Sequence, residues 1–201
     1  MHLRLGAHNA LYPLRIIGLN QDTRSDGQGM AGLTFMFMRP PVMNSNFGSA
    51  GQGWTESSIT NKLREGGDLN SSVKNKLVQV RKSRLDRGST AATTAVSNDK
   101  CFILSRYELG ANISGGSGVL GVGSDRSELY LHFESLGMRP GGHNAGAAVI
   151  RNLGLVNVWL RDRVDPVEGT YTIAMVVNEG YLDYAQYGHS QVHNFVPCFC
   201  L

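Results

Sequence analysis

Two histidines near the C-terminus, His189 and His193, stand four residues apart, which resembles the spacing of metal ligands on one face of a helix. The sequence around them contains glycine and leads to Pro197, which disfavours a helix. No pair of Cys, Asp or Glu residues lies nearby at a matching spacing, although a metal site needs such further ligands. We therefore predict no metal site at these histidines.

The three cysteines are the next candidates for chemistry. Cys101, Cys198 and Cys200 make an odd set, which indicates no disulfide framework. We assign the side chains of Cys198 and Cys200 to opposite faces of a predicted final strand. On that assignment the two thiols can neither bond to each other nor hold one metal ion, and we interpret both as small buried hydrophobic residues.

Catalytic motifs of other kinds are missing from the sequence. The glycine-rich stretches 115–123 and 137–146 lack the lysine and hydroxyl of a phosphate loop and the GxGxxG of a dinucleotide site. No GxSxG marks a nucleophile, and the carboxylates show no pairing. The sequence thus predicts a protein that is not an enzyme, with no catalytic residue and no cofactor.

A cluster of polar and aromatic residues near the C-terminus favours binding. Residues 178–195 read NEGYLDYAQYGHSQVHNF, a mixture of Tyr, Ser, Asn and Gly typical of antibody binding loops. The alternative is an ordinary solvated hairpin with a few packed tyrosines. The predicted ligand-binding residues are Tyr181, Asp183, Tyr184, Gln186, Tyr187, His189, Gln191 and His193.

The elements that must position this cluster are mostly strands. Runs of branched and aromatic residues predict strands at 11–20, 33–38, 100–104, 156–160, 170–177 and 194–201. Two short helices are predicted, at 55–66 with Thr55 as the N-cap and at 71–77. Residues 78–81 are interpreted as extended, 89–97 as a linker, and 128–136 as compatible with a helix.

The predicted core and surface follow from these elements. Residues 62–87 hold eight Lys and Arg against three acidic residues. Without interleaved aromatic residues, this stretch favours a solvated face of two helices over a nucleic-acid site. The predicted core includes Trp54, Ile59, Leu63, Phe102, Leu104, Trp159, Ile173, Val196 and Phe199.

Length and composition predict one domain over residues 1–201, with a glycine-rich insertion at about 110–127. Only 17% of the residues are charged, and the net charge of +3 is too small to indicate a nucleic-acid partner. No apolar run reaches the roughly 18 residues that span a bilayer. The N-terminal residues also lack the apolar stretch of a signal peptide.

Several segments taken in order resemble a known family. They are YPLRIIGLNQD, GWTESSITNKL, SNDKCFILSRYELG, LYLHFESLG, VWLRD and VPCFCL. This order is similar to the bacterial and phage family called domain of unknown function 6273, over about residues 10–201. The chain departs from the family pattern in three ways: Glu56 stands one place late after Trp54, Cys101 stands where a Leu is usual, and Asp162-Arg163 replace a Ser-Pro pair.

The resemblance implies an α+β fold similar to C-type-lectin-like and sulfatase-modifying-factor-like domains. In such domains the first and last strands pair, and two helices flank a twisted, mostly antiparallel sheet with long loops. The ligand face is built by loops between the late strands. The resemblance therefore places residues 181–193 on an exposed binding surface.

The same resemblance implies a non-catalytic binding module on a phage virion, serving in receptor binding, adhesion or decoration. Its partner would be a protein or glycan on a host cell, without nucleic acid or membrane insertion. The tyrosine-rich segment also fits variable proteins of diversity-generating retroelements. A bacterial cell surface and the cytoplasm are the alternative locations.

Two other functions stay open from the sequence. One is a purely structural virion protein that contacts other virion proteins. The other is a copper oxidase of the formylglycine-generating type, for which Cys198 and Cys200 are the cue. The identity of the ligand, a loop-bound Ca²⁺ and assembly into a homo-oligomer are left open by the sequence.

Overall fold

Strands form most of the regular structure in the part of the chain that the computed structural model describes, residues 2–4, 11–38, 44–49, 52–87, 92–109, 129–137, 157–164, 172–176, 182–183 and 190–201. The strands are β1 His2–Arg4, β2 Leu11–Leu19, β3 Leu33–Phe37, β4 Asn44–Ser45, β5 Val80–Arg87, β6 Ala92–Asp99, β7 Cys101–Phe102, β8 Val158–Val164, β9 Thr172–Val176, β10 Leu182–Asp183, β11 His193–Asn194 and β12 Cys198–Cys200. The helices are α1 Ser58–Leu63, α2 Ser71–Lys74 and α3 Leu131–Ser135, with 3-10 turns at Trp54–Glu56 and Arg64–Gly66.

The first sheet has five antiparallel strands in the order β1-β2-β3-β12-β7. The C-terminal strand β12 is central and hydrogen-bonds to β3 on one side and β7 on the other. Its three residues are all buried, as expected for a strand covered on both faces. The first and last strands therefore share a sheet, but β3 lies between β2 and β12, whereas the resemblance implied direct pairing.

The second sheet has seven strands, and its main path is β10-β9-β8-β11-β4. Strand β5 joins β8 in a parallel pairing and carries β6 on its other side. β5 and β6 are antiparallel over eight residue pairs, from Val80↔Asp99 to Arg87↔Ala92. The prediction of a linker at 89–97 was therefore wrong for residues 92–97, because Thr and Val there pair along a neighbouring strand.

The core is aromatic, and most of the residues that the sequence predicted for it are buried. The Phe35 and Phe199 rings stack with their centroids 5.5 Å apart, and Phe47 meets Trp159 edge-on at 5.9 Å. Eight of the nine predicted core residues are buried, namely Trp54, Ile59, Leu63, Phe102, Leu104, Trp159, Val196 and Phe199. The side chain of the ninth, Ile173, lies outside the described residues.

The helices are shorter than predicted, and their caps explain where they begin. Ser57, and not Thr55, is the N-cap of α1, since its hydroxyl accepts a hydrogen bond from the Thr60 backbone N–H at 3.0 Å. The Thr55 hydroxyl donates to Glu56 instead. Helix α2 begins after the cap residue Asn70 and ends at Lys74, three residues before the predicted end.

The fold is thus a mixed α+β structure with mostly antiparallel sheets and few helices, as the sequence predicted in outline. Strand pairing gives two sheets in place of the single predicted one. Helix α3 supports the prediction of a helix at 128–136, with Phe133 buried and Leu136 exposed beyond its end. Among the described residues, none of the helices is long and apolar enough to cross a membrane.

Candidate functional site

The predicted ligand-binding residues fall mostly outside the described part of the chain. Tyr181, Tyr184, Gln186, Tyr187 and His189 lie outside it, as does the side chain of Asp183. The backbone of Asp183 belongs to β10 and pairs with Met175 of β9. The assignment of these residues to a ligand surface stays a prediction.

Gln191 and His193 are the two predicted ligand-binding residues whose side chains lie in the described part of the chain. Gln191 is exposed, and its Oε1 lies 3.3 Å from His193 Nε2. The His193 ring is half-buried and meets the Trp159 ring edge-on, with 4.8 Å between centroids. Burial lowers the pKa of His193, which favours the neutral imidazole at neutral pH. Part of His193 therefore packs on Trp159, and the rest is exposed to solvent.

A buried cluster of charges, which sequence reasoning missed, is the most prominent polar feature of the described residues. Lys82 of β5 forms an ion pair with Asp22, and its Nζ lies 2.5 Å from Glu108 Oε1. Arg161 of β8 reaches the same carboxylate, with Nη2 2.9 Å from Glu108 Oε1. All four side chains are buried. The prediction of a solvated basic face is therefore wrong at Lys82, which points between the sheets.

Neutral groups complete the hydrogen bonds of Asp22. The Tyr130 hydroxyl accepts from Lys82 Nζ at 2.7 Å and donates to Asp22 at 2.9 Å. Thr34 of β3 donates its hydroxyl to Asp22 Oδ2, and the Cys200 thiol donates to the same oxygen at 3.5 Å. Both carboxylate oxygens are thus engaged, as buried charges require.

A reciprocal pair of hydrogen bonds holds Glu108 in the turn after β7. The Ser105 backbone N–H donates to Glu108 Oε2 at 2.8 Å, while the Glu108 N–H donates to the Ser105 hydroxyl at 3.3 Å. This is the geometry of a capping box, whose signature Ser-x-x-Glu is readable in the sequence SRYE. The signature would have predicted the turn, but not that the carboxylate meets Lys82 and Arg161.

Mutual pairing decides the charge states of the cluster. Burial by itself would raise the pKa of Asp22, but the charge and hydrogen bond of Lys82 outweigh it and hold this pKa below its usual range. Burial opposes the charge of Glu108 as well, and the cations of Arg161 and Lys82 lower its pKa. For Lys82, burial is outweighed by Glu108 and Asp22, so that its pKa is raised. The cluster therefore keeps two cations and two anions at neutral pH.

Tyr130 and the C-terminal thiols stay protonated beside these charges. Burial, and then the charges of Glu108 and Asp22, raise the pKa of Tyr130. Burial is also the main cause that raises the pKa of Cys198 and of Cys200. None of these groups is thus a base or a nucleophile at neutral pH.

The assignment of Cys198 and Cys200 to opposite faces was wrong. Side chains alternate along a strand, so residues two apart lie on the same face. Both thiols adjoin the charge cluster, while Phe199 between them stacks on Phe35. The copper hypothesis therefore does not fail on strand geometry. What opposes it is that both thiols are buried and protonated.

A cavity of about 230 Å³ adjoins the cluster, and its lining includes Asp22, Lys82, Glu108 and Tyr130. Each of these groups is already bonded to another member of the cluster. The arrangement can therefore join the two sheets, but offers no proton donor or acceptor tuned to neutral pH. No three His, Cys, Asp or Glu side chains among the described residues are arranged to hold a metal ion.

Comparison with known proteins gives no match among family models, curated proteins or solved structures. The resemblance to the domain of unknown function 6273 family therefore stays a prediction based on the ordered sequence segments.

Proposed function

We propose that this chain is a non-catalytic binding module with a C-type-lectin-like domain, displayed on a phage virion. Residues 181–193 form its ligand surface, and a protein or glycan on a host cell is its partner. The proposal is supported by the tyrosine-rich composition of that segment. It is also supported by the way in which the described residues hold the two ends of the segment.

The observation that carries the proposal is that both ends belong to one sheet. Asp183 of β10 pairs with Met175 of β9. Asn194 of β11 pairs with Val158 of β8 and with Asn44 of β4. Strands β9 and β8 lie between β10 and β11, so residues 184–192 connect two separated strands of the same sheet. Rigid anchors of this kind favour a binding loop, because a fixed framework limits the entropy lost on binding.

The buried cluster of charges supports a role in binding over a role in catalysis. Acid–base catalysis needs groups whose pKa lies near the working pH. In the cluster, the pKa of each carboxyl is lowered and that of Lys82 is raised, so both shifts move away from neutrality. These charges stabilise the framework on which the proposed surface is carried.

Exposed apolar side chains favour a second candidate, a structural virion protein. Leu11, Ile16 and Leu19 of β2 are each about half exposed or more, between 47% and 60%. Contacts with neighbouring virion subunits would cover such side chains.

Two measurements test the proposal. Mass spectrometry of purified phage particles should detect the chain. Fluorescently labelled protein should bind intact host cells, and the double variant Tyr184→Ala/Tyr187→Ala should bind about tenfold or more weakly with little change in melting temperature. The control Leu131→Ala/Leu136→Ala removes two exposed apolar side chains, one from α3 and one from the residue that follows it, and should bind normally.

Three results would overturn the proposal. The chain could be absent from particles. It could bind no host cells although it is present in particles, which would leave the structural role. The tyrosine variant could also bind as well as the control, which would remove residues 181–193 from the ligand surface.

A further inference from the structure

A second cleft lies between α1 and the end of β6. It has a volume of about 330 Å³, within the usual range of small-molecule sites of about 300–1,000 Å³. Its walls combine one buried carboxylate, Asp99, with polar side chains from three segments, including Arg64, Asn98 and Lys100. We propose that this cleft binds one sugar residue of a glycan.

Asp99 is the group around which the cleft is built. Its side chain is only 7% exposed, and its Oδ2 accepts hydrogen bonds from Trp54 Nε1 at 3.1 Å and from the Ser97 hydroxyl at 2.7 Å. Among the described residues its Oδ1 accepts no hydrogen bond, and it is not one of the atoms that are fully buried without a partner. Because Asp99 lines the cleft, the proposal assigns this oxygen to the ligand. A carboxylate held through one oxygen presents the other in a fixed direction, as a ligand site requires.

Hydrogen-bond donors line the same cleft. Arg64 donates from Nη2 to Asn61 at 2.9 Å, and Lys100 donates from Nζ to Glu65 at 2.5 Å. A guanidinium has five N–H donors and an ammonium three, so each side chain keeps donors for a ligand. Asn98 is exposed and adds an amide that both donates and accepts.

The balance of charges indicates a neutral ligand. Among the described lining residues, Arg64 and Lys100 are basic, and Glu65 and Asp99 are acidic. An anionic ligand would meet Asp99, and a cationic ligand would meet Arg64 and Lys100. A sugar hydroxyl both donates and accepts a hydrogen bond, so a neutral saccharide can use donors and acceptors together.

The remaining wall suits the carbon skeleton of a sugar. Leu63 and Cys101 are buried at the cleft and offer an apolar surface. Burial raises the pKa of the Cys101 thiol to about 12, which keeps it protonated and unreactive. The cleft therefore combines apolar contact with convergent polar groups, which is the usual composition of a small-ligand site.

The two tryptophans of the chain provide a reporter and its internal control. The Trp54 indole N–H donates to Asp99, whereas the Trp159 indole N–H donates to the Ser45 carbonyl at 3.0 Å. We would titrate the ¹⁵N-labelled full chain with glucose, galactose, mannose, N-acetylglucosamine and rhamnose. At least one sugar should shift the Trp54 indole resonance saturably and leave the Trp159 resonance in place.

Variants then test whether Asp99 is responsible. Asp99→Asn keeps an acceptor for Trp54 and Ser97 but removes the negative charge. The affinity for the sugar should fall by about tenfold, since charge-assisted hydrogen bonds are roughly twice as strong as neutral ones. Arg64→Ala changes an exposed donor and should weaken binding even if Asp99→Asn fails to fold. The control Asp68→Asn removes an exposed carboxylate outside the cleft lining and should bind as the natural chain does.

The inference goes beyond the proposed function, and the two can fail separately. The variant Tyr184→Ala/Tyr187→Ala should keep the Trp54 response to sugar. The inference is overturned if no sugar shifts Trp54 saturably, or if both tryptophans shift in parallel. It is equally overturned if Arg64→Ala binds like Asp68→Asn, or if the tyrosine variant loses the response.

Discussion

Two regions of the molecule each bury a carboxylate, but the two carboxylates differ in how many of their oxygens are hydrogen-bonded. In the cluster between the sheets, Asp22 accepts hydrogen bonds from Lys82, Thr34 and Tyr130, and both of its oxygens are engaged. In the cleft beside α1, the described residues hold Asp99 through Oδ2, which accepts hydrogen bonds from Trp54 and Ser97. Both carboxylates are about equally buried, with 6% and 7% of the residue exposed.

The difference shows that burial alone does not separate a structural charge from a binding group. What separates them is the number of hydrogen-bonding positions that the protein itself fills. A fully bonded cluster makes a rigid junction, because any movement leaves a buried charge unpaired. A carboxylate with one open oxygen keeps a position for a ligand.

The largest expected effect comes from breaking the cluster. Lys82→Met keeps a side chain of similar length but leaves Asp22 and Glu108 without their shared cation. We expect the free energy of unfolding to fall by about 3–5 kcal/mol, measured by urea denaturation. The control Lys100→Met breaks an ion pair with Glu65 at the surface and should lower the free energy of unfolding far less. Equal losses in the two variants would show that the cluster has no special role.

The stability that Lys82→Met loses should depend on pH, and this dependence tests the charge states of the cluster. The pKa values of Asp22 and Glu108 are lowered in the folded state, so their contribution is complete above the unfolded values of about 3.9–4.3 and is lost as the pH falls through the lowered values. The pKa of Lys82 is raised, so its contribution is lost only as the pH rises above about 10.4.

The stability difference between the natural chain and Lys82→Met should therefore be constant from about pH 6 to 9 and shrink in acid. Denaturation curves at several pH values measure it. A difference that grows below pH 4 would contradict the assigned charge states.

The smallest expected effect comes from the cleft. Asp99→Asn retains an acceptor for Trp54 and Ser97, and should lower the free energy of unfolding by about 1 kcal/mol or less. Asp22 pairs with Lys82, and Asp22→Asn leaves the ammonium of Lys82 with a weaker partner. We therefore expect Asp22→Asn to lower the free energy of unfolding several times more than Asp99→Asn does. Thermal and urea unfolding of the two variants compare these losses. A larger loss for Asp99→Asn would make Asp99 the structural carboxylate of the two.

The aromatic core could be predicted from the sequence because it depends on local pattern. Trp159 and Phe199 lie in short apolar runs, whereas Trp54 stands between Gly53 and Thr55, and large apolar side chains are buried in most folds. The first strands were predicted for the same reason, since the predicted strands at 11–20 and 33–38 agree with β2 and β3 to within one residue at each end.

The hairpin of β5 and β6 shows why other elements were missed. Residues 92–97, a mixture of Ala, Thr, Val and Ser, look like a linker in isolation. They form a strand because β5 supplies a neighbour with matching backbone groups. Lys82 and Arg84 were placed on a solvated surface for a related reason, since their burial depends on which sheet covers them.

The sequence by itself determined the class of the fold, the aromatic core, and the Ser-x-x-Glu turn at Ser105, because local propensity and apolar patterning act over a few residues. Only the tertiary structure decided that Asp22, Lys82, Glu108 and Arg161 meet, since the pairs in contact are separated by 26 to 60 positions in the chain. It also decided that one oxygen of Asp99 stays open. Charge pairing over such separations depends on how the sheets pack, and no local pattern in the sequence encodes it.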